Sequence, residues 1–151
     1  MDDSVGGHDA ILLRNRQFWK ARDMKTRGGL YWILVIIAIL TVFSGIVQIV
    51  APGFELRMLS AESTATSRHF FGIVGMFMTL FGAAMLHALL SPTDHPVVVF
   101  WASLQKFGAF CAVALGVGRG IFSMLALTVA FFDLISGTLG IWYWFRIRTP
   151  R

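Results

Sequence analysis

Two charged residues stand in the middle of apolar runs: Lys106 in VVVFWASLQKFGAFCAVALGVGRG and Asp133 in TVAFFDLISGTLG. Either charge alone at the centre of a bilayer costs about 2.5–3.5 kcal/mol. Opposite charges on neighbouring helices lower that cost by pairing. The simplest chemistry for Lys106 and Asp133 is therefore an ion pair that fixes the register of a helical hairpin, with Gln105 and Thr128 as nearby donors or acceptors. A proton or ion path is the sharper alternative, because intramembrane ionisable residues mark such paths.

His87, in GAAMLHALL, is the third candidate. A neutral imidazole on an apolar helix serves as an axial ligand to haem or a chlorin. Ala83 lies four residues before it, which resembles the Ala-x-x-x-His pattern of antenna polypeptides and implies bacteriochlorophyll as the ligand. The plainer reading is a histidine reaching the membrane interface or bonding a neighbouring helix. Arg68, His69 and Arg119 read as anchors at the outer face. His8 and His95 have no partners at zinc spacing, so no metal site is expected. The single Cys111 excludes an internal disulfide. GVGRG has the glycines of a phosphate loop but no Lys-Ser/Thr after them, and no other catalytic constellation is present.

These residues need a frame, and composition names it. Of 151 residues, 56% are hydrophobic and 14% charged, with 14 Phe; mean hydropathy is +0.71. A soluble domain is nearer a quarter charged. Lipid is the solvent, and the fold class is all-α: an integral membrane four-helix bundle preceded by an N-terminal amphipathic interfacial helix. A span needs about 20 apolar residues, and segments at about 30–50, 70–90, 97–115 and 121–145 qualify. Gly28 and Gly29 set residues 1–29 apart as a basic arm, with the membrane domain over 30–151. Ala51, Pro52 and Gly53 end span one. Residues 91–96 turn between spans two and three, and the glycine-rich stretch 116–120 joins three and four. No cleavable signal peptide is visible, since the first run is too long for one.

Six of the thirteen Lys and Arg lie from Arg14 to Arg27, and Arg146, Arg148 and Arg151 end the chain. Those nine face three (Arg57, Arg68 and Arg119) on the other side, so the positive-inside rule puts both termini in the cytoplasm. Gathered charge of this kind suits a membrane face, not nucleic acid. The arm mixes basic residues with Ile11, Leu12, Phe18, Trp19 and Met24, with Asp9 as a helix cap. It reads as a helix lying on the bilayer or docked on a partner subunit. FELRMLS is a short amphipathic piece at the outer interface.

Lys106 lies about ten residues before the outer end of span three, and Asp133 about twelve past the outer start of span four. At 1.5 Å per residue these depths are roughly 15 and 18 Å. A short connection forces the two spans to be antiparallel neighbours, so the charges meet. Small residues mark expected contact faces: Gly108, Ala112 and Gly116 on span three, Ser136 and Gly140 on span four, and Gly72, Gly75, Gly82 and Ala83 on span two.

The order of features resembles small bacterial four-span proteins of the DoxX-like kind. The likeness rests on a Pro-containing outer loop after span one, Arg68 before HFFGIVG, Gly118-Arg119 ending span three, and Asp133 in span four; Lys106 lies outside that pattern. The resemblance implies the bacterial inner membrane and the company of accessory subunits and proteins without a settled chemistry. The absence of catalytic constellations, the interfacial arm and the lipid-like outer faces point to a non-enzymatic accessory subunit of a larger energy-converting complex, photosynthetic or respiratory. Partners are then the lipid bilayer and other membrane subunits, with no obligatory cofactor. The alternatives are a small ion-coupled transporter using Lys106, Asp133 and Arg119, or a redox partner holding quinone or haem near His87.

Overall fold

A computed structural model describes residues 28–148. Its elements are α1 (Gly29–Val50), α2 (Pro52–Met58), α3 (Ala65–Leu90), α4 (Pro96–Gly118) and α5 (Ala126–Ile147). All but α2 are long and apolar enough to cross a membrane. The basic arm and its expected interfacial helix lie outside the described residues, as does Arg151.

Local chemistry sets the boundaries. Pro52 sits in the first turn of α2, where its missing N–H costs nothing, and the residue before a proline avoids helical geometry, so α1 stops at Val50. FELRMLS accordingly forms a helix of its own from Pro52 to Met58, with Leu56 buried. Span two begins at Ala65, five residues before the expected start. The reason is a reciprocal cap: Thr64 Oγ1 accepts from the Ser67 N–H at 3.0 Å, and Ser67 Oγ accepts from the Thr64 N–H at 2.8 Å. Pro96 opens α4 in the same way as Pro52 opens α2.

The expected break at 116–120 falls later, at residues 119–125. Gly116 and Gly118 are helical. Gly116 is needed for space, because a Cβ there would collide with the Phe122 ring as the chain folds back. Gly120 supplies the turn with φ +70°, and the Ser123 N–H donates to Leu59 O at 2.9 Å, tying the link to the residue after α2.

Two antiparallel hairpins form the bundle, α1 against α3 and α4 against α5, with lighter contact between them. Lipid tails are as apolar as leucine, so close packing and polar contacts hold membrane helices together. Bare Cα atoms permit the approach in the first hairpin. A Cβ on Gly75 would lie 2.5 Å from Gln48 Cβ and 2.7 Å from Gly45 O, and one on Gly82 would lie 2.9 Å from Val42 Cγ2. In the second hairpin, Gly137 and Gly140 pack against Ser103. The expected face of Gly108 and Ala112 is not used within the bundle: both are exposed, and nothing approaches where a Gly108 Cβ would sit. Ala83 is likewise exposed. Ala102, Ser103 and Lys106 turn inward instead, because the helical face that carries Lys106 toward Asp133 leaves Gly108 two residues away, about 200° round the helix. Near the Gly29 end, Tyr31, Leu34, Val35, Ala38, Met85, Leu89, Val99 and Ala102 form the buried apolar core. There the Tyr31 hydroxyl donates to Leu89 O at 3.1 Å, satisfying a carbonyl in the last turn of α3.

Gly75→Ala is expected to destabilise the bundle by roughly 1–3 kcal/mol through overpacking, while Gly108→Ala leaves stability unchanged or slightly raised. Denaturation of both variants in detergent checks the contrast; equal effects contradict the assigned faces.

Candidate functional site

Lys106 Nζ donates to Asp133 Oδ1 at 2.7 Å, the one ion pair among the described residues. The two residues are 7% and 4% exposed. The pair sits within an antiparallel register that repeats along both helices. Phe110 faces Phe131, Ser103 faces Gly137, and Phe100 faces Trp144, with ring centroids 6.4 and 5.2 Å apart in the first and last pairs. Asp133 is the eighth residue of α5, nearer its start than the sequence boundary implies. Coiling begins earlier, however. Backbone bonds from Ala126 to Ser123, Leu127 to Met124 and Thr128 to Leu125 form a tight turn that leads into the helix. Counted from Ser123, Asp133 is about 15 Å deep, and Lys106 is about 18 Å from Gly118. The depths agree within a turn.

The surroundings are only partly as expected. Gln105 borders the same cavity as Lys106. Thr128 does not join the pair: it is exposed and its hydroxyl donates to Leu125 O at 2.7 Å. Five residues place it about 140° round α5 from Asp133. The Phe132 ring centroid lies 5.5 Å from Lys106 Nζ, a second stabilising contact for the ammonium.

Lys106 borders a cavity of about 30 Å³ between the two hairpins, where Thr41, Phe81, Met85, Ser103 and Ser136 also contribute. By the usual measure a water needs about 10–15 Å³, so the cavity has room for one or two. The hydroxyls in its wall are engaged on their own helices: Thr41 with Ile37 O at 2.8 Å, Ser103 with Val99 O at 2.7 Å, and Ser136 with Phe132 O at 2.6 Å. This leaves the Lys106 ammonium, with three N–H donors, as the charged group at the cavity wall.

The other candidates lie apart from the cavity. His87 is exposed on α3, three residues before its end at Leu90. Arg68, His69 and Arg119 are exposed at the Val50 end. There Arg68 Nε donates to Thr64 O at 3.3 Å, and the His69 ring meets Phe70 edge-on at 6.1 Å. The Arg119 N–H closes α4 on Leu115 O. No group of three His, Cys, Asp or Glu with metal-binding proximity occurs among the described residues.

Several polar residues escaped sequence reasoning. Thr41 and Gln48 are buried on α1, seven residues apart and so on one face. That spacing of polar residues within an apolar run was the available signal. Gln48 Oε1 and Ser123 Oγ are buried without hydrogen-bond partners. Beside Gln48, burial pushes the Glu55 carboxyl of α2 above its ordinary value of 4.5, partly offset by a hydrogen bond with the Gln48 side chain.

No protein-family model matches this chain, and neither the curated proteins nor the solved structures yielded a match. What fold and composition define is a class: a multi-pass, all-α membrane protein with four candidate spans and an ion pair buried between the last two.

A carboxyl with a raised folded pKa binds its proton more tightly folded than unfolded. Glu55 therefore contributes stability that is fully present below pH 4.5 and is lost as pH rises through the raised folded value. Glu55→Gln is expected to flatten this part of the pH dependence of melting in detergent; an unchanged profile would contradict it.

Proposed function

We propose that this chain is a non-enzymatic accessory component of a larger membrane assembly. The observation that carries the reading is the outward face of α4. Gly108, Cys111 and Ala112 are exposed there, and no atom lies within 4 Å of a Cβ built on Gly108. Gly45, Gly75, Gly82, Gly137 and Gly140 are used for helix contact elsewhere in the bundle. On α4 they give a thin face directed away from it, shaped for the close approach of another membrane helix. The likeness of short motifs to those of DoxX-like four-span proteins fits the four-span architecture. Nine of the thirteen Lys and Arg fall on one side of the expected spans, which favours both termini on the cytoplasmic side; the resemblance to bacterial four-span proteins implies the bacterial inner membrane.

A second reading draws on the cavity. A buried ammonium–carboxylate pair beside space for water is the minimum equipment for ion-coupled movement. Closure of the neighbouring hydroxyls on their own helices favours the structural role for the pair.

Purification in mild detergent followed by native mass measurement tests the proposal. A heteromeric complex is expected, and Gly108→Leu with Ala112→Leu should cut partner recovery about tenfold while leaving the melting of the isolated bundle unchanged, a loss equivalent to about 1.4 kcal/mol. A lone monomer or homo-oligomer from the native host would overturn it.

A further inference from the structure

The last helix ends in WYWFRIR, and both arginines follow a tryptophan by four residues. On a helix that spacing puts each guanidinium over the ring one turn back, because long side chains lean toward the helix N-terminus. The geometry agrees. Arg146 Cζ is 4.7 Å from the Trp142 ring centroid; Arg148 Cζ is 4.5 Å from Trp144 and 4.3 Å from Phe145. All are within the roughly 6 Å over which a ring face attracts a cation.

We propose that these two stacked arginines form headgroup sites for anionic phospholipid. Stacking occupies the guanidinium face and leaves its N–H edge, a planar fork that matches phosphate oxygens two at a time. It also holds the side chain in place before a headgroup arrives, reducing the rotamer entropy that binding would cost. Among the described residues neither arginine is paired with a carboxylate: the ion pair there is Lys106–Asp133, and Asp94, in the turn at the same end, pairs with none of them. Trp142 and Phe145 are about half exposed, so the rings have an open side toward lipid. Trp144 instead packs on Phe100 at 5.2 Å, which anchors the Arg148 site to α4. Two residues apart, the arginines lie about 200° round α5 and serve opposite flanks of its end.

This inference rests on membrane insertion and not on the accessory role. The full-length chain in nanodiscs or detergent carries its test, with phosphatidylglycerol against phosphatidylcholine as the probe. Native mass spectra should show retained phosphatidylglycerol in preference to phosphatidylcholine. Arg146→Gln and Arg148→Gln should each weaken that retention about fivefold, the factor expected for one basic residue at an anionic surface. The basic N-terminal arm is common to every variant and cancels in the comparison. Arg146→Lys with Arg148→Lys keeps the charge but loses the planar fork, and should recover less than half of the lost retention. Full recovery with lysine would reduce the sites to diffuse charge and overturn the proposal. So would undiminished retention in the glutamine variants, or thermal stabilisation by inorganic phosphate equal to that by phosphatidylglycerol. Melting in phosphatidylcholine alone should be the same for all variants, which separates loss of the sites from loss of the fold.

Discussion

A charge cannot stand alone in hydrocarbon, and the second half of this bundle is arranged around that constraint. Lys106 and Asp133 lie on different helices, 27 positions apart in sequence, and meet at 2.7 Å. Once they meet, the register of α4 on α5 is determined. Ser103 lies against Gly137 and Gly140, and Phe100 lies against Trp144. The small residues do not create that register; they let the backbones come close enough for it to hold. A slip of one residue would rotate Asp133 about 100° away from the ammonium.

The first hairpin has no such pair and relies on contact alone. Gly45, Gly75 and Gly82 bring α1 and α3 together at backbone distance, while Tyr31 closes the far end on Leu89. The hairpins then meet over an apolar core at one end and the small cavity beside Lys106. Each hairpin is thus tightly built, and the seam between them is the looser part of the molecule. Exposed Phe43, Phe77, Leu80, Phe131 and Ile135 form sides suited to lipid or to other subunits.

Spans were legible because twenty apolar residues have few other uses, and Pro52 and Pro96 mark their boundaries by covalent geometry. Side-chain spacing made the Lys106–Asp133 meeting legible, since a short link leaves antiparallel packing as the only choice. Two features were harder to read. The start of α3 depends on a two-residue cap between Thr64 and Ser67, which hydropathy does not register. The end of α4 depends on whether glycine breaks a helix or makes room in it, and Gly116 makes room for Phe122, a tertiary fact. Similarly, Gly108 and Ala112 form a small-residue stripe as good as any in the sequence. Which stripe faces inward was decided by the lysine two positions before Gly108.

The central claim is that the buried pair holds the second hairpin in register, and a double-mutant cycle tests it most directly. Lys106→Met, Asp133→Leu and the combined variant would be denatured in the same detergent. Each single change strands a charge, and a loss of about 3–5 kcal/mol is expected. The combined variant strands none and should recover most of that loss, giving a large favourable coupling energy. Losses that simply add in the combined variant, or single variants as stable as the parent chain, would contradict the account.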